Sequence, residues 1–134
     1  MTFWKQGISG EIKKFFVRLR YHSLADDDSF KIGVISPELE MVLQKLWEQR
    51  YIDGYITDSD EKRTTIYLGA SPDTRFITDI RFNFNKCVSL AKIRKFAKKF
   101  PHILAFVQTS SHGILTFTEC IKFGCGGKII AIII

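Results

Sequence analysis

Apolar positions along the chain recur with two periods, and each change of period marks an expected element. Ile12, Phe15, Phe16 and Leu19 follow helical spacing, which predicts a first helix over Ser9 to Arg20 with Ser9 as its cap. Lys13, Lys14, Arg18 and Arg20 fill much of its remaining circumference. Asp26-Asp27-Asp28 marks a loop, and Phe30 to Ile35 reads as a short strand. Ser36-Pro37-Glu38 supplies a cap hydroxyl, a first-turn proline and a carboxylate at the positive end of the dipole. The helix it opens should reach about Arg50, with Leu39, Val42, Leu43 and Leu46 inward. Tyr51-Ile52 and Tyr55-Ile56 flank a bend or bulge at Asp53-Gly54, and the polar run Thr57 to Lys62 turns into a strand over Arg63 to Leu68.

Gly69-Ala-Ser-Pro-Asp73 is small and turn-forming, and so is the expected boundary. From Arg75 to Phe84 the alternation of Phe76, Thr78, Ile80, Phe82 and Phe84 with Ile77, Asp79, Arg81 and Asn83 predicts a half-buried strand. Asn85-Lys86 makes a turn and Cys87-Val88 a stub. Ser89 caps a helix to Phe100, with Leu90, Ile93, Phe96, Ala97 and Phe100 inward and Lys92, Lys95, Lys98 and Lys99 outward. Pro101 stops it, and Ile103 to Val107 is a buried strand. Thr109, Ser110 and Ser111 then form a hydroxyl cluster closed by His112 and Gly113. Thr116-x-x-Glu119 is a capping box, Gly124 a helix stop, and Gly126-Gly127 a tight turn into a last strand, Lys128 to Ile134. The expected architecture is α+β in two small lobes. Residues 1–69 form an N-terminal helix-strand-helix-strand-strand lobe. Residues 74–134 form a C-terminal lobe with a mixed sheet and two short helices.

Composition fits a folded domain. Of 134 residues, 46% are hydrophobic and 25% charged, which argues against disorder. The net charge of +6 is unevenly spread. Residues 1–20 carry +4, residues 21–62 carry −6, and residues 63–134 carry +8. That division suggests one face for a polyanion and another turned elsewhere. Three cysteines cannot all pair, which favours a reducing compartment. The longest apolar run, Ile129 to Ile134, is strand-sized, so no membrane partner is expected. Met1 to Gly7 lacks a secretory core and a transit-peptide bias. The expectation is that the protein works where it is made, or that any presequence is absent from this chain.

Ser111, His112 and Cys120 are raw material for a Ser/Cys hydrolase, but adjacent residues on an extended loop should point apart, and no Gly-x-Ser-x-Gly elbow occurs. His112, Cys120 and Cys125 lack a fourth ligand and the usual cysteine spacing, so no metal is expected. All three cysteines are expected to be small buried hydrophobes, and His22 and His102 ordinary surface or interface residues. No GxxxxGK[ST] or GxGxxG is present, so no nucleotide, other cofactor or small-molecule substrate is expected. Turn hydroxyls often bond local backbone, yet three in a row exceed that need. Hydroxyls and amides suit the shallow minor groove of double-stranded RNA, with its 2′-hydroxyls, while lysines and the backbone amides around Gly126-Gly127 suit its phosphates.

The segment Thr109-Ser-Ser-His-Gly-Ile-Leu-Thr116, then a short helix and Gly124-Cys-Gly-Gly-Lys-Ile-Ile130, resembles the C-terminal signature of a ribosomal family, the eighth protein of the small subunit. Arg18-Leu-Arg20, Leu43 to Trp47 and Tyr51-Ile-Asp-Gly-Tyr55 agree with its layout. The resemblance implies a two-lobe protein that binds and stabilises a helical junction of small-subunit ribosomal RNA during assembly, beside neighbouring small-subunit proteins, without catalysis. It implies an RNA-binding loop of Thr109, Ser110, Ser111, His112 and Gly113 flanked by Gly126, Gly127 and Lys128, with Arg18 and Arg20 as a further basic pair. Glu38 and Glu40 stand where bacterial members commonly carry lysine, Lys128 where they carry glutamate, and Phe117 where aspartate is frequent. These departures, with the Phe and Ile richness, lean toward a mitochondrial ribosome, a cytoplasmic one being next. A free-standing RNA-binding translational regulator is the alternative use of the same surface.

Overall fold

The computed structural model describes residues 2–69, 71–82 and 86–134, with side chains from residue 10 onward. Among the described residues the fold is α+β, with four helices and two antiparallel sheets, and the chain divides into two compact units, Met1–Thr78 and Asp79–Ile134.

The first unit runs α1 (Thr2–Leu24), β1 (Ser29–Ile32), α2 (Pro37–Glu48), β2 (Gly54–Asp58) and β3 (Arg63–Tyr67). Its element order is the expected one. The helix α1 is longer at both ends than the periodicity predicts, and Ser9 lies inside it rather than capping it. A cap serves only where amides lack helical partners, and those of Ser9 and its neighbours fall within the helix. The stripe itself is as expected: Ile12, Phe15, Phe16 and Leu19 are buried, and the Phe15 ring stacks on Phe30 of β1 at 6.3 Å. Helix α1 ends where Asp26 takes a left-handed φ of 59° and the Ala25 amide bonds the Tyr21 carbonyl. Ser36 caps α2, its Oγ accepting from the Leu39 amide at 3.2 Å, and Leu39, Val42, Leu43 and Leu46 are buried. The hairpin β2–β3 pairs Asp58 with Arg63, and β1 adds to β3, giving the order β1-β3-β2.

The expected boundary at residues 69–73 falls short of the division after Thr78. The reason is local bonding: Asp53 accepts from the Ser71 amide and the Thr74 hydroxyl, and the Arg75 amide donates to the Arg50 carbonyl at 2.6 Å. These contacts hold residues 71–75 to the first unit.

The second unit runs β4 (Ile80–Phe82), β5 (Cys87–Val88), α3 (Leu90–Lys99), β6 (Leu104–Gln108), β7 (Ile114–Thr116), α4 (Phe117–Phe123) and β8 (Gly127–Ile133). The expected strand from Arg75 to Phe84 shrinks to Ile80–Phe82; Asn83, Phe84 and Asn85 lie outside the described residues. Asp79 exchanges both backbone bonds with Ile134, at 3.2 and 2.9 Å, so the ladder with β8 starts there. Among the described residues, 75–78 have no ladder partner, and the alternation fails: Phe76 is 81% exposed while Ile77 is buried.

Strand β8 is central. It pairs antiparallel with β4 and β5 on one side and β6 on the other, and β7 completes the sheet beyond β6. The expected mixed sheet is therefore antiparallel at every pairing. Strands β5 and β6, joined by α3, do run the same way, but β8 lies between them, a split β-α-β arrangement. A bulge interrupts the β6–β8 register between Phe106 and Val107. Helices α3 and α4 cover one face through a core of Ile93, Ala105, Val107, Leu115, Phe117, Cys120, Ile129 and Ile132. Phe100, expected inward, caps α3 and is half exposed.

Gly126 and Gly127 serve close approach rather than an unusual φ. A Cβ on Gly126 would stand 2.3 Å from the Val88 carbonyl oxygen, and one on Gly127 2.3 Å from that of Gln108. Gly127→Ala should therefore destabilise the protein by about 1–3 kcal/mol, seen as a lower Tm, because backbone must shift on the β6 side. Gly33→Ala, with open space around its Cβ, should leave Tm unchanged or slightly raised.

Candidate functional site

The β6–β8 pairing brings the end of β6, where the hydroxyl loop begins, beside the glycine turn that opens β8. Gln108 pairs with Lys128 across the ladder, and Gln108 also pairs with Ile114 of β7. Thr109 to Gly113 is thus the loop of a β-hairpin, and Gly126, Gly127 and Lys128 enter beside its base. Strand β7 was not apparent in the sequence, since three residues between a loop and a capping box are too few to show a period.

Within the loop the hydroxyls divide. Thr109 is only 7% exposed, and its Oγ1 donates to the Gly113 carbonyl at 2.8 Å while accepting from the His112 amide at 2.9 Å. The Thr109 amide bonds the same Gly113 carbonyl at 2.8 Å, and Gly113 takes a φ of 69°, a conformation that suits glycine. Thr109 is a brace, with its hydroxyl already committed. Ser110, Ser111 and His112 are exposed. Ser111 Oγ lies 2.8 Å from His112 Nδ1, so these neighbours converge rather than point apart. The imidazole stacks on Phe123 of α4, ring centroids 4.9 Å apart at 21°. Phe123 was missed in the sequence because nothing local links it to a residue on another element.

That stacking also bears on the Ser–His pair. Nucleophile activation needs a base oriented by a third group, ordinarily a carboxylate. Among the described residues the other nitrogen of His112 has no such partner, and the ring is oriented by Phe123 instead. Cys120 is fully buried, and burial first, then the hydrogen-bonded Cys125 thiol and Glu119, push its pKa up to about 12. It stays a neutral thiol at pH 7. Cys125 is half-buried and Cys87 exposed, so only Cys120 matches the expected buried state. Among the described residues no three His, Cys, Asp or Glu side chains are grouped to hold a metal ion, and no helix is long and apolar enough to cross a membrane.

Helix α4 starts where the capping box Thr116-x-x-Glu119 predicts. The Thr116 Oγ1 accepts from the Glu119 amide at 3.3 Å, and Glu119 Oε1 accepts from the Thr116 amide at 3.0 Å. Gly124 closes the helix at φ 70°. Lys128 is exposed on β8, flanked in register by Cys87 and Gln108. Gly126 and Gly127 are half-buried.

Arg18 and Arg20 belong to the first unit, on α1. Arg18 donates to the Lys31 carbonyl at 2.5 Å and lies over the Phe30 ring at 5.4 Å, bracing α1 to β1. His22 stacks on the same ring at 4.6 Å and bonds Asp27 at 2.7 Å. Arg20 is exposed.

Comparison with known protein families finds no family model that matches the chain, and comparison with curated proteins finds no match.

Two outcomes test this geometry. Thr109→Ala should cost about 1–3 kcal/mol, since it leaves loop groups without their partner, while Ser110→Ala should leave Tm unchanged. The raised Cys120 pKa carries a pH signature. Its unfolded thiol ionises from near 9.0, whereas the folded one keeps its proton to about 12, so it favours unfolding progressively across that window. Cys120→Ala should therefore lose less stability than the wild type between pH 9 and pH 12 in denaturant titrations.

Proposed function

We propose that this protein is a structural RNA-binding component of the small ribosomal subunit, which holds a helical junction of the subunit's RNA during assembly. The observation that carries the reading is the β6–β8 register, which pairs Lys128 with Gln108 at the base of the loop that bears Ser110, Ser111 and His112, with Gly126 and Gly127 leading into it. Those two sequence halves are the ones that resemble the ribosomal family, and they share one end of one sheet.

The chemistry suits a ribose-lined groove. The Ser110 and Ser111 hydroxyls both donate and accept, as 2′-hydroxyls and minor-groove base edges require. The stacked His112 ring presents its second nitrogen, and the Lys128 ammonium meets phosphate. Such contacts set register and shape fit rather than a long sequence code. Thr109 acts indirectly, by holding the loop in shape. The mitochondrial ribosome is the favoured setting and the cytoplasmic one the next, with neighbouring small-subunit proteins as partners.

Electrophoretic shift with small-subunit RNA fragments tests the reading. The double variant Ser110→Ala, Ser111→Ala should bind about 2 kcal/mol more weakly, roughly thirtyfold, with an unchanged Tm. Lys128→Gln should flatten the slope of log K against log salt by about 0.9. An unchanged affinity in the double variant removes the loop from the site. Co-sedimentation with small subunits at physiological salt separates a ribosomal component from a free-standing regulator.

A further inference from the structure

We infer that the lysine stripe of α3 is a second RNA-contacting surface, lying along the phosphate backbone of the same helical RNA whose groove the hairpin loop meets; this rests on the reading above. Lys92, Lys95, Lys98 and Lys99 are all exposed. At 3.6 residues per turn they fall within an arc of about 120° and span about 10 Å of helix. No Asp or Glu occurs between Asp79 and Glu119, and the whole unit Asp79–Ile134 holds nine Lys and Arg against two acids.

Three observations favour RNA as the occupant. The stripe sets like charges three and four residues apart, as in Lys92/Lys95, Lys95/Lys98 and Lys95/Lys99. Each such pair disfavours the helix by a few tenths of a kcal/mol, and a polyanion offsets that repulsion where water does not. The stripe also continues from the hairpin site. A Cβ on Gly126 would stand 3.2 Å from the Leu90 amide nitrogen, so α3 starts against the turn that delivers Lys128. Lastly, the apolar side of α3 is already used: Ile93 is buried in the core, with Phe96 and Ala97 packed against it. A basic amphipathic helix that binds a membrane surface needs that side free. Within the lysine arc no large apolar side chain is exposed; the nearest, Phe100, lies at its C-terminal edge under Lys99 at 5.5 Å, short of the clustered anchors that protein interfaces depend on.

The experiment measures binding of a small-subunit RNA fragment by fluorescence anisotropy between 50 and 200 mM salt. Replacing Lys92, Lys95, Lys98 and Lys99 with glutamine should flatten the log–log slope by about three to four, near 0.9 for each lost phosphate contact. The matching four-arginine variant should restore the slope, and Tm of the glutamine variant should equal or exceed the wild type. The Ser110→Ala, Ser111→Ala variant should instead lose affinity at constant slope. If the glutamine variant binds with the wild-type slope, the α3 surface is overturned while the hairpin site stands. Failure of arginine to restore the slope also overturns it, because charge is then not what the helix supplies. Absence of RNA binding by the wild type overturns the proposed function, and this inference with it.

Discussion

The second unit depends on one close approach, the backbone of Gly126 and Gly127 wedged between two neighbours. On one side stand the Val88 carbonyl and the start of α3; on the other stands the Gln108 carbonyl at the end of β6. Any side chain there would separate β8 from one or both. Because β8 is the central strand, its entry point determines where β5, α3 and the β6–β7 hairpin converge. The convergence of these elements at that end of the sheet follows from this backbone packing.

A rigid rim differs chemically from a flexible one. Thr109 and Gly113 tie the hairpin loop through three bonds before any ligand arrives, and the His112–Phe123 stack ties its tip to α4. Under the proposed function, such a loop loses less ordering entropy on binding RNA, the general advantage of preorganised polar surfaces. The capping box at Thr116 and the left-handed Gly124 hold α4, and so Phe123, in register with the loop.

Much of this was legible in the sequence where the signal was local. The Ser36 and Ser89 caps, the Thr116/Glu119 box and the inward stripe of α2 depend on neighbours within one helical turn, and the structure has each of them. Signals that depend on a distant partner were not legible. The alternation around Phe76 looked like a strand, but β8 pairs only from Asp79 onward. Ser9 looked like a cap because cap chemistry says nothing about where a helix is already under way. Arg18 looked like a free basic group, but the Lys31 carbonyl and the Phe30 ring, brought by β1, engage it.

The sequence by itself determined the α+β class, the order of the elements apart from β7, and the concentration of positive charge after residue 62, because propensity, capping and composition are properties of short stretches. Only the tertiary structure decided that β8 separates β5 from β6, that Thr109 is a brace while Ser110 and Ser111 are exposed, and that His112 stacks on Phe123. The physical reason is that register and burial are set by which strand arrives alongside. Here that depended on two glycines small enough to let it in.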